Sequence, residues 1–165
     1  MSIRGTCLVN GMGGGGLILD LGDRAPDFCL QSTGGDVCLA DLHVTGPAVL
    51  VFYTTDFTPL CTNSLNVLAG EFSVFKQLNV TMIAISADSV ESHLKFAEVN
   101  KFPFDLASDP SCETIRAYGV LNDDGASSNR SIVCVDQGGI IVHVNKFFQP
   151  TDSQQVVNLF SALGY

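Results

Sequence analysis

The chain reads as an α/β domain, with a mixed central β-sheet, helices on both faces and a β-hairpin at the N-terminal end of the domain. Three observations predict this. Two runs of β-forming residues, Val49–Tyr53 and Val80–Ser86, each lead into a helical pattern, as parallel strands joined by crossover helices do. Alternating segments flank the turn residues Ser32–Gly35 and Asp136–Gly139, as in hairpins. The 165 residues, 46% of them hydrophobic, suffice for one domain with its own core.

Residues 1–18 read as a flexible glycine-rich tail, and residues 19–165 as the domain. The letters Gly11-Met12-Gly13-Gly14-Gly15-Gly16 match a dinucleotide fingerprint, but no helix opens behind them to receive a pyrophosphate, so the match is discarded. Asp27–Leu30 and Asp36–Ala40 form the first hairpin, with Phe28, Leu30, Val37 and Leu39 on one face. Pairing 28 with 39 and 30 with 37 puts Cys29 opposite Cys38 on the other face, as a potential disulfide or, by preference, two incidental thiols. A strand over 48–53 is followed by a helix from about Pro59 to Gln77, with Leu65, Leu68, Phe72 and Phe75 facing inward. After the strand 80–86, Asp88 or Ser89 caps a helix to about Asn100 whose apolar stripe is Val90, Leu94 and Ala97. Phe102–Leu106 is a short extended piece. Asp109-Pro110 opens a helix carrying Ile115 and Tyr118 and ending at Gly119. Arg130–Val135 and Ile140–Val144 make the second hairpin, and Thr151 with Gln154 forms a capping box for a last helix over Val156, Val157, Phe160 and Leu163. This order of elements is the thioredoxin-like plan with extra strands in front.

Eight basic against seventeen acidic residues, a net charge of −9, argue against a nucleic-acid partner and for small-molecule chemistry. No apolar run is long enough to span a bilayer. The six cysteines (7, 29, 38, 61, 112 and 134) show no zinc-knuckle spacing, and the three histidines stand on separate segments, so neither metal nor cofactor is expected. With no apolar h-region after Met1–Cys7, the expected compartment is the reducing cytoplasm, with thiols free. Two matches to the glycosylation sequon, at Asn79 and Asn129, are then fortuitous.

Cys61 lies just beyond a strand's carboxyl end, in the first turn of the next helix. Ligands and reactive groups collect there in α/β sheets. Unpaired amides and the helix dipole stabilise a thiolate, the nucleophilic form. Cys134, inside the run Ile132–Val135, reads as core. Thr62, Asn63 and Ser64 follow Cys61, so the second sulfur of a dithiol exchanger is missing from this helix.

"DFTPLC", Asp56 to Cys61, resembles the active-site loop of the peroxiredoxins, of the alkyl hydroperoxide reductase and thiol-specific antioxidant superfamily. The similarity extends through "LGDRAPDF", "VLVFY", "ISADSVESHLKFAE", "FDLASDP", "AYGV" and "NRSIVCVDQGGII", nearly all of the chain beyond the tail. Residues 88–98 look most like the bacterioferritin-comigratory, or Q-type, branch, and "DFTPLCT" is closer to the one-cysteine type. The resemblance implies a peroxidase in which Cys61 is the peroxidatic thiolate, Thr58 orients the peroxide, and Arg130 keeps the thiolate ionised and stabilises the transition state. Cys61 would become a sulfenic acid, reduced by an external thiol of thioredoxin, glutaredoxin or glutathione type, and the protein would be a homodimer.

The family motif is not fully kept. Thr54 stands where the family has proline, seven residues before the cysteine, and Ser64 where many members have glutamate. Asn66 occupies the Q-type resolving site. Cys112, read as first-turn and therefore activated, is either a resolving partner within or between subunits or an incidental thiol at a helix start; the second is preferred. The competing function is a catalytically weak redox sensor or scaffold, favoured by Thr54 and opposed by Thr58 and Arg130.

Overall fold

The computed structural model describes residues 19–165; the glycine-rich segment, with Cys7 and the fingerprint letters, lies outside the described residues. Seven strands form one mixed sheet: β1 (Cys29–Ser32), β2 (Gly35–Cys38), β3 (Ala48–Phe52), β4 (Thr81–Ser86), β5 (Asp105–Ser108), β6 (Ser131–Val135) and β7 (Ile141–Asn145). Their spatial order is β2-β1-β5-β4-β3-β6-β7. β3, β4 and β5 run parallel, and β6 lies antiparallel to β3.

Five helices cover the sheet: α1 (Leu39–Leu42), α2 (Pro59–Gln77), α3 (Val90–Asn100), α4 (Glu113–Ala117) and α5 (Ser153–Ala162). β3 is buried along its whole length, and its side chains alternate between two cores. Leu50 and Phe52 join Ile83, Ile85 and residues of α1 and α4 on one face. Val49 and Val51 join Leu65, Leu68, Phe75, Phe96 and Leu159 on the other, beneath α2, α3 and α5. The helices on both faces are those of a thioredoxin-like sheet.

The N-terminal hairpin keeps the expected register, Cys29 opposite Cys38 and Leu30 opposite Val37. It docks on the sheet where Thr33 N–H donates to the Leu106 carbonyl (3.0 Å) and Leu106 N–H to Thr33 Oγ1 (3.1 Å). Gly34 permits this close approach, because a Cβ there would meet the Asp105 carboxylate. Cys29 and Cys38 are joined in a disulfide, with S–S 2.01 Å. The preference for two incidental thiols, and for thiols free throughout, is corrected by this bond: register sets the two sulfurs face to face.

Other local readings shift as well. The second hairpin strand stops at Cys38, because Leu39–Leu42 coil into a one-turn helix that buries Leu39 and Leu42. The buried stripe of α3 is His93 and Phe96, and Leu94 points outward, 51% exposed. Polar partners under the helix draw His93 inward. The fourth helix begins at Glu113, not beside Asp109, and the last is capped by Asp152, whose side chain accepts from Gln154 N–H, in place of Thr151.

Candidate active site

The site grows from the carboxyl end of β3. Tyr53 continues the strand's pairing through its N–H to the Ile85 carbonyl (3.1 Å). The chain then leaves the sheet through Thr54–Phe57 and re-enters a helix at Thr58, the N-cap of α2, with Pro59 opening the first turn. Proline suits that place, since its missing donor would be unpaired there anyway. Cys61 is the third helical residue, buried against Tyr53 and Leu65.

No side chain caps this helix. Thr58 Oγ1 instead donates to the Thr55 carbonyl (3.2 Å), turning its hydroxyl toward the loop. The amides of Leu60 and Cys61 therefore lack the capping acceptor that most helix starts provide. Phe57 and Leu60, 52% and 56% exposed, make an apolar rim beside them.

Arg130 reaches the same edge along β6, whose Ser131 pairs with Phe52 at the end of β3. It lines a small cavity with Tyr53 and with Ser64, Leu65 and Leu68 of the second and third turns of α2. Among the described residues the one ion pair joins His93 to Asp56, so the Arg130 guanidinium has no carboxylate partner. The structure thus brings Cys61, Thr58 and Arg130 to one edge of the sheet.

Cys112 is elsewhere. It packs with Phe52 and Ile115 on the opposite face of the sheet from Cys61. It precedes α4 as a residue in the left-handed region (φ 61°) and is only 3% exposed. Burial, then the Asp109 carboxylate, raise its thiol pKa. The expectation of an activated first-turn thiol is therefore corrected: Cys112 lies outside the helix, and its surroundings disfavour the thiolate. Cys134 is core as expected, its thiol pushed up by burial.

Sequence reasoning missed the polar cluster that anchors the loop. His93 is not isolated: its Nδ1 lies 2.9 Å from Asp56 Oδ2. Its Nε2 donates to the Ala107 carbonyl (3.0 Å), so one shared proton must hold the Nδ1–carboxylate contact. Tyr53 O–H donates to Asp56 Oδ1 (2.7 Å) and Ser92 O–H to Oδ2 (2.7 Å). Burial, then the Asp56 charge, hold the Tyr53 phenol well above its usual pKa, so it remains a donor. Asp88 accepts from the Asp56 N–H (3.0 Å), the Thr55 hydroxyl (2.9 Å) and the Ser86 hydroxyl (2.6 Å). Both residues that precede Phe57 are thereby tied down, and Phe57 itself takes a left-handed conformation (φ 65°) with its ring 5.0 Å from that of Phe96. Asp56, Asp88 and His93 also have the spacing of metal ligands, but their donor atoms are already engaged by protein partners. One sequence signal pointed here: Asp56 and Asp88 each follow closely on the end of one of two neighbouring parallel strands.

A thioredoxin-like sheet with a buried thiol opening the helix after one of its inner strands, and a cation at the same edge, defines a class of thiol-reactive α/β protein. Residues 21–144 match the model of the AhpC/TSA family. A peroxiredoxin of Hyperthermus butylicus is 32% identical over 129 residues, 73% of this chain and 55% of the relative. The chloroplastic peroxiredoxin Q of Arabidopsis thaliana is 34% identical over 131 residues, 78% of this chain and 61% of the relative. Among solved structures, the peroxidoxin BcpB of Mycobacterium tuberculosis superposes with a TM-score of 0.78 at 27% identity, covering 87% of this chain and 95% of that one. The chain belongs to the AhpC/TSA family of peroxiredoxins. It spans little more than half the length of some of the curated relatives it matches.

Proposed function

We propose that this chain is a thiol-dependent peroxidase that reduces hydrogen peroxide and organic hydroperoxides. The thiolate sulfur of Cys61 attacks one peroxide oxygen; an S–O bond forms, the O–O bond breaks, and the leaving oxygen takes a proton to depart as water or alcohol. Cys61 becomes a sulfenic acid. One thiol then condenses with it, releasing water, and a second thiol frees Cys61 from the mixed disulfide. Thr58 would orient the peroxide, and Arg130 would stabilise the charge on sulfur and on the departing oxygen.

The observation that carries this reading is the placement of Cys61 in an uncapped helix start, at the sheet edge where Arg130 lacks a carboxylate partner. The apolar rim of Phe57 and Leu60 suits an alkyl hydroperoxide. Because Cys112 lies across the sheet, we favour a one-cysteine cycle closed by an external thiol. A yeast mitochondrial 1-Cys peroxiredoxin, described as resolved via glutathione/thioredoxin systems, superposes with a TM-score of 0.76 at 25% identity, covering 88% of this chain and 76% of that one. A homodimer in the cytoplasm is part of the same proposal.

The test is peptide mass spectrometry after one equivalent of hydrogen peroxide, with a sulfenic-acid trap present and Cys61→Ser as control. Rapid trapping confined to Cys61 is expected. Slow oxidation spread over several cysteines would overturn the peroxidase and leave a weak redox sensor. A Cys61–Cys112 disulfide would replace the one-cysteine cycle.

A further inference from the structure

The cross-strand disulfide is not used by the chemistry at Cys61, and its surroundings are those of a reaction site. Cys29 is exposed and Cys38 half-buried, on the face of the hairpin turned away from the core. β2 is the outermost strand of the sheet, open on one side to an approaching molecule. One groove beside the sulfurs is lined by Asp27, Phe28 and Ala40, and a second by Gln31, Ser89 and Pro110. The other three cysteines among the described residues are buried free thiols.

The hairpin does not depend on the covalent link. Pairing continues from Cys29–Cys38 through Leu30–Val37 and Gln31–Asp36 to Ser32–Gly35, so the turn already closes the loop that the disulfide closes again. The turn is braced by Ser32 Oγ, which donates to the Gly35 carbonyl (2.6 Å) and accepts from Gly34 N–H (3.1 Å). β1 is also held by β5, with Gln31 opposite Ser108. A cross-link acts mainly on the unfolded chain, so the folded hairpin keeps its shape through its own ladder, turn and β5 contacts. Oxidised and reduced forms therefore share one fold, and the ladder keeps the two reduced sulfurs facing each other at high effective concentration.

We propose that Cys29 and Cys38 form a second redox centre, a reversible thiol–disulfide couple that exchanges electrons with a dithiol reductant independently of Cys61. In the forward direction a thiolate of the reductant attacks one sulfur of the pair. The Cys29–Cys38 bond breaks, one cysteine leaves as a thiolate and takes up a proton, and a mixed disulfide holds the other. The reductant's second thiol then attacks its own sulfur, releasing the second cysteine; two electrons and two protons pass to the pair, and the reductant becomes a disulfide. A dithiol is required by the geometry. A monothiol adduct sits beside the freed cysteine, which expels it and restores the original bond. Charge adds to this: Asp27 beside the sulfurs and the chain's net −9 repel an anionic monothiol such as glutathione.

The experiment equilibrates the full native chain in graded ratios of reduced to oxidised dithiothreitol, starting from either end, followed by alkylation and peptide mass spectrometry. Cys29 and Cys38 are expected to convert together between disulfide and two alkylated thiols, with the same curve in both directions and unchanged circular dichroism. A bond that resists excess reduced dithiothreitol until the chain is unfolded would overturn the couple in favour of a structural staple. Two thiols that stay free in oxidised dithiothreitol would also overturn it. A parallel series with glutathione should leave the adduct a minor product; a dominant glutathione adduct at either cysteine would overturn the dithiol assignment. Cys61 is read on its own peptide, so this result stands apart from that of the peroxidase test.

Discussion

Cys61 and Cys112 both stand at the beginning of a helix that follows a parallel strand of the sheet, yet the fold treats them in opposite ways. Cys61 is the third residue of a 19-residue helix, whose entrance loop is tied to Asp88 and to the Asp56–His93 pair. Cys112 sits before a helix of five residues, in a left-handed conformation, on the other side of the sheet. The difference lies in the approach to the helix. After β3 a loop of five residues leads into the N-cap Thr58, which leaves Cys61 inside the first turn. After β5 the Asp109 carbonyl accepts from the Cys112 N–H (2.9 Å), while the Asp109 carboxylate bonds the Ile115 N–H (2.8 Å) inside the helix. Asp109 thus does what a capping residue does, but across a turn that displaces the helix past the cysteine. A cysteine near a helix start in the sequence is not thereby inside the first turn; the turn that precedes the helix decides which side of the start it falls on.

The largest effect that sharpens this contrast is expected at Arg130. Arg130→Met should slow peroxide consumption by about 10²–10³-fold, the usual cost of removing one group that stabilises developing charge. Stopped-flow kinetics on the variant would read it, and an unchanged rate would remove Arg130 from the mechanism. Next comes the support under the loop. Asp56→Ala leaves buried His93 without its carboxylate partner, and should lower stability by about 3–5 kcal/mol, as read by urea denaturation. No such loss is expected around Cys112. Cys112→Ala should cost about 1 kcal/mol, for one buried sulfur, and leave the peroxide rate as it was. A rate that falls with that substitution would break the comparison, because Cys112 would then take part in turnover.

The smallest effect is a pH dependence away from both thiols. Burial depresses the pKa of His143 below 6.5, and its Nε2 is buried without a hydrogen-bond partner. As pH falls through the usual histidine range, the unfolded chain takes up a proton that the folded chain refuses. Stability therefore decreases with acidification below about pH 6.5. His143→Leu should flatten that part of the stability–pH curve, measured by denaturation at several pH values; an unaltered slope would assign the titration elsewhere.

Much of this was legible in the residues. Hydrophobic spacing located α2, β3 and β4 to within about a residue, because each is long enough or buried enough for its period to dominate. The hairpin register followed from alternation alone, since a slip of one residue would turn Leu30 and Val37 to solvent. The stripe of α3 was misjudged because hydrophobicity ranks Leu94 above His93. In the fold His93 has Asp56, Tyr53 and the Ala107 carbonyl as partners, and a buried polar group with partners outcompetes an apolar one without a cavity.

By itself, then, the sequence determined the α/β plan and the position of Cys61 beyond an inner strand, together with the family motif around it. These depend on periodicity and on residues close together in the chain. Only the tertiary structure decided that Cys29 and Cys38 are bonded to each other and that Cys112 is buried across the sheet from Cys61. It also decided that Asp56, Asp88 and His93 anchor the loop that leads to Cys61. The place of Cys112 and the anchoring cluster rest on contacts between segments far apart in sequence and on which face of the sheet each side chain meets. No local pattern encodes either.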